Sequence, residues 1–521
     1  MDDLGPLFKR LTTLRKHFSR GDECRVPDGI LPADWARFQH YAERVRELQS
    51  TIYFEKVHQS VWVLLQSVLG SKPLLPNLRR LDLSISVKEP AGHLLLISPT
   101  IRNLETLFEA ARDDRARSGY DPVREAAGVL LELILSKVPN LLTLCVDARI
   151  YGHFPAHQLG PIQSLFHLQT LKLSEGSDMD YVTVQLLSRL PSLRSLGLSV
   201  RLSSAIRKTR MPAAGNFAAL HELSLLGCLA DVVWVFDAFS FNALDEKLHL
   251  TLLDPATDIN VKERLAEIMS KVPRNLRALT LLSAGIQVSS ENHLSLSTVL
   301  ESCLVFEDAV TVDIKFRFSA RVPQVTDCDL LKFAQAWPKL ESLRLNDFPQ
   351  ISSAVDEATA SHVTLRGLLS LSQHCPNLLV MQLQILDVTE VPPVSSFPAV
   401  GHKYMRQLQI TQLRNGSTAN LLDVAVIIDL LFPLLETRRR VFLQYPPGRK
   451  RFDLTMVNGA WDMTQALLAA IQARREVQDS PMASRSPLTE DSYTEDESVY
   501  TDDNSDDEDG DDDGGDMLDY Q

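Results

Sequence analysis

The chain is 521 residues long, 45% apolar and 23% charged, which excludes both a small disulfide-held module and a chain disordered throughout. Its formal charge of −14 is unevenly spread: Glu490 to Gln521 hold 16 acids and no Lys or Arg, leaving 51 acids against 53 bases, a net +2, on the other 489 residues. The acidity describes a tail, and the body is near neutral.

In chain order, the opening stretch MDDLGPLFKRLTTLRKHF lacks a continuous apolar run and a small-residue cleavage site, so no secretory signal is expected. Residues 1–30 are expected to be irregular or to hold a short helix. Beyond them, ILPADWARFQHYAERVRELQ places Trp35, Phe38, Ala42 and Val45 at helical spacing, with Asp34 placed to favour a helix start. The spacing predicts an amphipathic helix over 33–48 that caps the first of a series of repeats.

The repeat pattern is L-x-x-L-x-L, or close to it. It begins at Leu78, Leu141, Leu168, Leu193, Leu220, Leu276, Leu340 and Leu378, at intervals of 63, 27, 25, 27, 56, 64 and 38 residues. Weaker copies around Leu104 to Leu107, Leu248 to Leu250, Val310 to Ile314 and Leu408 to Ile410 fill the longer gaps. The closing L-x-L alternates with period two, which is how a strand sends side chains to one side. Before most units lies a segment of helical spacing: Glu125 to Val138, Val261 to Val272, Asp329 to Trp337 and Val363 to Cys375. Proline marks the junction at Pro76, Pro139, Pro191, Pro273, Pro338 and Pro376, where the missing amide hydrogen ends a helix and favours extended geometry in the residue before it.

A helix, a break and a short strand, repeated, form a unit that cannot bury its apolar face alone, so stacked copies are expected. The pattern resembles leucine-rich repeats of the longer kind. It predicts an α/β, leucine-rich-repeat-like solenoid (horseshoe) over 31–475, with a parallel sheet on the concave side and helices outside. The Asn/Cys position of regular repeats is matched only by Cys228, so the asparagine ladder is missing and an irregular solenoid is expected.

Near the end of the body, Arg438-Arg439-Arg440 and Arg449-Lys450-Arg451 flank VFLQYPPG, and a helix over Trp461 to Arg475 is expected to close the solenoid. Residues 476–521 are rich in Ser, Asp, Glu and Gly and cannot offset the entropy of ordering, so a disordered acidic tail is expected. Within it Ser492, Thr494 and Ser505 each have an acid three positions on and are candidate phosphorylation sites.

The string Leu31-Pro32-Ala33-Asp34-Trp35, then Arg37-Phe38 and Tyr41 to Arg46, resembles the stretch that opens the repeat domain in a large group of fungal F-box proteins. The P-x-L-x-x-L-x-L rhythm of the later units is similar as well, so that the resemblance spans roughly Leu31 to Ala473. It implies a substrate receptor of a cullin-type ubiquitin ligase, in which an F-box binds the ligase adaptor and the repeats hold the target. The F-box itself, which usually opens with Leu-Pro and runs about forty residues, is not evident in the first thirty residues; it is either absent from this chain or has diverged.

Phosphate-binding and metalloprotease motifs and the G-x-S-x-G string are absent, and the thirteen histidines show no zinc-like spacing. His153 and His157 stand four apart, but Phe154-Pro155 between them spoils a helical metal face. No enzyme activity, cofactor or metal is expected. The six cysteines form no CxxC pair and read as reduced, mostly buried thiols. The longest apolar run, Val424 to Leu435, is broken by Asp429 and Pro433 and is shorter than the roughly 20 residues of a bilayer span, so a soluble cytoplasmic or nuclear protein is expected.

The outward residues of the strands form two rows. Asp82, Cys145, Lys172, Gly197, Ser224, Thr280, Arg344 and Gln382 make the first. Ser84, Asp147, Ser174, Ser199, Leu226, Leu282, Asn346 and Gln384 make the second. Their charges are mixed, whereas a nucleic-acid groove needs one dominant basic sign. A protein partner on the concave face is therefore expected, touching Asp82, Lys172, Ser174, Ser199, Ser224, Thr280, Arg344, Asn346 and Gln382. A ligase adaptor is a further partner if an F-box lies upstream.

Overall fold

Every L-x-x-L-x-L unit is a strand, and so are the four weaker copies. The strands are β1 (Glu47–Ser50), β2 (Arg80–Ser86), β3 (Asn103–Glu109), β4 (Thr143–Ala148), β5 (Thr170–Leu173), β6 (Asp178–Met179), β7 (Ser195–Val200) and β8 (Gly215–Asn216). They continue with β9 (Glu222–Gly227), β10 (Phe239–Ser240), β11 (Lys247–Leu252), β12 (Ala278–Ile286), β13 (Thr311–Phe318), β14 (Ser342–Asp347), β15 (Val380–Asp387) and β16 (Gln407–Arg414). A computed structural model describes residues 5–8, 11, 30–50, 59–86, 91–109, 122–148, 156–173, 178–179, 181–202, 215–253, 261–286, 295–318, 325–347, 362–397, 401–414, 420–437 and 459–478. The chain divides into two compact units, Met1–Gln472 and Ala473–Gln521. The sheet belongs to the first; of the second, the described residues are the last turns of the helix Ala460–Gln478.

Among the described residues the main sheet runs β1-β2-β3-β4-β5-β7-β9-β11-β12-β13-β14-β15-β16, with β6 beside β7, and β8 and β10 form a separate pair. All pairings are parallel, and the sheet is unclosed, with β1 and β16 at its two ends. At the start of most rungs one carbonyl accepts two successive amides of the next repeat, the first of which marks the series. The Arg79 amide donates to the Arg46 carbonyl at 2.7 Å, Arg102 to Arg79 at 2.9 Å and Leu142 to Arg102 at 2.7 Å, and the series continues to Glu436 on Arg406 at 2.7 Å.

The residue just before each of these starts is buried in every rung. It is leucine in the regular copies, and Val45, Ile101, Ala309 and Met405 in the irregular ones. The next inward column, from Leu48 and Leu81 through Leu104, Leu196, Val312 and Met381 to Leu408, is buried throughout. Both columns join the helix faces in one core, as period-two strands against period-3.6 helices require. The helices Pro122–Lys137, Val261–Met269, Asp327–Ala336 and Leu365–His374 occupy the segments of helical spacing.

The helix expected over 33–48 is a correction. It runs only over Pro32–Ala42, and Glu47–Ser50 is the first rung of the sheet. Its last amides fold into a turn, Arg44 onto Tyr41 at 3.0 Å and Val45 onto Ala42 at 3.3 Å, before Arg46 pairs with Arg79. Val45 is inward in either reading, so helical spacing alone cannot show where the helix ends. A short helix, Gly5–Phe8, precedes it, and Phe8 lies between Phe38 and Trp62, with ring centroids at 6.2 and 5.7 Å.

Polar bonds tie successive repeats where an asparagine ladder is missing. Thr326 and Asp329 form a capping box, and the second Asp329 oxygen accepts the Ser297 amide of the preceding helix at 3.0 Å. Asp327 accepts the Thr364 amide and hydroxyl of the following helix at 2.7 and 2.6 Å. In the core, Trp337 Nε1 donates to the Cys303 carbonyl, the Cys375 thiol to the Trp337 carbonyl, and His402 Nε2 to the Cys375 carbonyl at 2.8 Å. No helix among the described residues is long and apolar enough to cross a membrane.

Candidate functional site

Alternation sends every second side chain of a strand away from the core, onto the open face of the sheet. There the register aligns Asp82, Cys145, Lys172, Gly197, Ser224, Thr280, Arg344 and Gln382 in one row, the first row read from the sequence. Five members of that row were not read: Gln49, Glu105, His249, Asp313 and Gln409. Their strands carry Val45, Ile101, Ala309 and Met405 at the leading position, or, in β11, an extra residue between Leu244 and Leu248. The signal that finds them is alternation with any apolar leading residue, not leucine alone.

Lys172, Ser224 and Arg344 are exposed, and Asp82, Thr280 and Gln382 are half-buried. Ser199 is a correction: it is 3% exposed, where the two-residue strand β6 pairs against it, and so offers little surface to a partner. Asn346 lies on β14 in register with Lys315. Ser174, Ser492, Thr494 and Ser505 lie outside the described residues, as do His153 and both basic triplets.

The row's charges are of both signs. Burial is the main cause that pushes the Cys145 thiol up, with Glu105 adding to it and Lys172 and Arg80 opposing. Burial, helped by Lys247, holds the His249 imidazole below its ordinary range, and its Nε2 lies 3.0 Å from the Thr251 hydroxyl. Further along, Lys315 Nζ reaches Asp313 Oδ2 at 3.0 Å, while Asp313 Oδ1 is buried without a hydrogen-bond partner.

Midway along the face the row is interrupted. Gly197 has no side chain and Ser224 only a hydroxymethyl, and a cleft of about 600 Å³ opens over them. Its walls include Lys172 on one side and His249 on the other, with Glu222 and Lys247 along one margin. The Ser195 hydroxyl donates to Glu222 Oε2 at 2.8 Å, which holds that carboxylate at the margin. The arrangement can hydrogen-bond, pair with either charge and pack an apolar group. Among the described residues no three of His, Cys, Asp or Glu are grouped to hold a metal ion.

No protein-family model matches the chain, and no curated protein matches it. Among solved structures it is similar to an internalin, InlF, from Listeria monocytogenes, at 13% identity over 79% of this chain and 92% of that one, with a TM-score of 0.32. It is also similar to the leucine-rich repeat-containing protein LegL7 from Legionella pneumophila, at 14% identity over 54% and 86%, with a TM-score of 0.29. A third similar structure is the complex of Rad7 and Elc1 from yeast, at 13% identity over 82% and 85%, with a TM-score of 0.34. The leucine-rich-repeat-like fold of this chain stands on its own parallel ladder and buried leucine columns.

Proposed function

We propose that this chain is a non-enzymatic protein-binding module that holds its partner across the open face of the ladder. The observation that supports this most is the row of polar side chains in mixed charge, in which Lys172, Ser224 and Arg344 are exposed on one face of a continuous thirteen-strand path. Mixed charge suits the polar, specific contacts of a protein interface and not the uniform basic field that a phosphate backbone attracts. Lys172→Glu together with Arg344→Glu, which touch no core column, should lower recovery of the native partners from cell extract at least ten-fold with an unchanged circular dichroism spectrum. Equal recovery by the folded double variant would refute the reading.

The resemblance of Leu31 to Arg46 to the repeat opening of fungal F-box proteins supports a narrower role, as the substrate-recognition part of an F-box-type ubiquitin ligase receptor. A specific observation favours a second reading, a stand-alone scaffold with no ubiquitin link: Phe38, Ala42 and Val45 of that stretch are buried against the first rung, a covering role that needs no ligase. Co-purification of the ligase adaptor with the native protein separates the two; its absence would leave the scaffold.

A further inference from the structure

We propose that the gap in the row at Gly197 seats one aromatic side chain of the protein partner, lying on the glycine between Lys172 and His249. This rests on the reading that the partner occupies the open face.

The geometry comes from the register. Lys172, Gly197, Ser224 and His249 stand on four successive strands, so the lysine and histidine backbones are about 14 Å apart at about 4.8 Å per strand. Less the thickness of their own side chains, that leaves room for one flat ring. The Lys172 stem leans toward the gap, its Cγ 3.5 Å from where a Cβ on Gly197 would stand. A ring placed there offers its negative face to the ammonium group within the roughly 6 Å over which cation–π attraction acts. On the far side stands the imidazole, pushed below its ordinary range by burial and Lys247, and it adds a ring edge.

Charge selects no ionic occupant. The cleft is lined by both signs, Lys172 and Lys247 against Glu105, Asp147 and Glu222, so a group of either charge over Gly197 meets repulsion as well as attraction. An uncharged ring with a polarised face avoids that repulsion. Gly197 is not needed by the backbone: its φ lies outside the left-handed region, and an added Cβ meets nothing nearer than that 3.5 Å contact. The space is therefore left open by the sequence and not imposed by the fold, and aromatic anchors in such gaps dominate protein interfaces.

The probe is a phage library of random twelve-residue peptides panned on the full chain, with the enriched sequence then synthesised. The expected result is an enriched sequence with one fixed aromatic residue. Its affinity should fall at least ten-fold on Gly197→Leu, and as far when that aromatic is changed to alanine; Lys172→Met should weaken it several-fold. Circular dichroism checks that the variants fold. No enrichment, an enriched sequence without an aromatic, or binding untouched by Gly197→Leu would each overturn the proposal. If binding survives Gly197→Leu but is lost on Arg344→Glu, only the aromatic seat fails; if it survives both, the open-face reading fails with it.

Discussion

Cys303 and Cys375 are fully buried, and burial pushes each thiol up to about 12. Thiolate is the reactive form, so both are inert near neutral pH, as structural cysteines are. Alkylation of the native protein at pH 8, mapped by mass spectrometry, should modify the exposed Cys328 and spare these two until the chain unfolds. The stability consequence has a definite sign. From the ordinary value of 9.0 up to about 12 the unfolded thiols lose their protons and the folded ones keep theirs, so stability falls with pH. The loss is about 1.4 kcal/mol per thiol per pH unit in that window, read as a falling denaturant midpoint; below pH 9 these thiols should leave it flat. At this scale the sequence led one to expect unpaired cysteines, and the five among the described residues are free, but it did not show that Cys375 bridges Trp337 and His402. Those partners lie 38 and 27 residues away and meet only because the repeats stack.

At the scale of elements, the helix starts carry the polar links that regular repeats place elsewhere. Asp329 is 1% exposed and serves two helices, through the capping box with Thr326 and the Ser297 amide. Asp329→Ala keeps the Thr326 cap but removes the carboxylate that accepts the Thr326 amide and strands the buried Ser297 amide, which should cost about 2–4 kcal/mol in chemical denaturation, with Asp329→Asn costing less. A loss under about 1 kcal/mol would show that neither bond contributes much. The strands were legible because L-x-x-L-x-L states both period and direction. Strand β1 was not, because its unit reads Val45, Leu48, Ser50, and the polar third position hides the alternation. The end of the helix Pro32–Ala42 was hidden for a related reason: Phe38, Ala42 and Val45 face inward whether the last turn is helix or strand start.

At the scale of the whole ladder, each rung bonds only to its neighbours, so stability is local and the ends need covers. Phe8, Phe38 and Trp62 cover the first rung, and Trp461 and Leu468 of the closing helix are buried in the same core. Phe38→Ala should cost about 3–5 kcal/mol, but unevenly. Hydrogen exchange should speed up in β1 and β2 and stay slow in β14. A uniform loss of protection along the ladder would mean that the repeats unfold as one block.

The sequence by itself determined the architecture, because a repeated apolar period fixes which side chains must be buried wherever the strands end up, and hence which face is left open. It also determined that the charge of −14 divides into −16 on the last 32 residues and +2 on the rest. Only the tertiary structure decided what that face looks like. The repeat pattern already lined up Lys172, Gly197 and Ser224, but His249 joins them only through the register, because the extra residue between Leu244 and Leu248 hides its unit. A gap in a row exists only once the row does, and it takes hydrogen bonds between distant segments to make one.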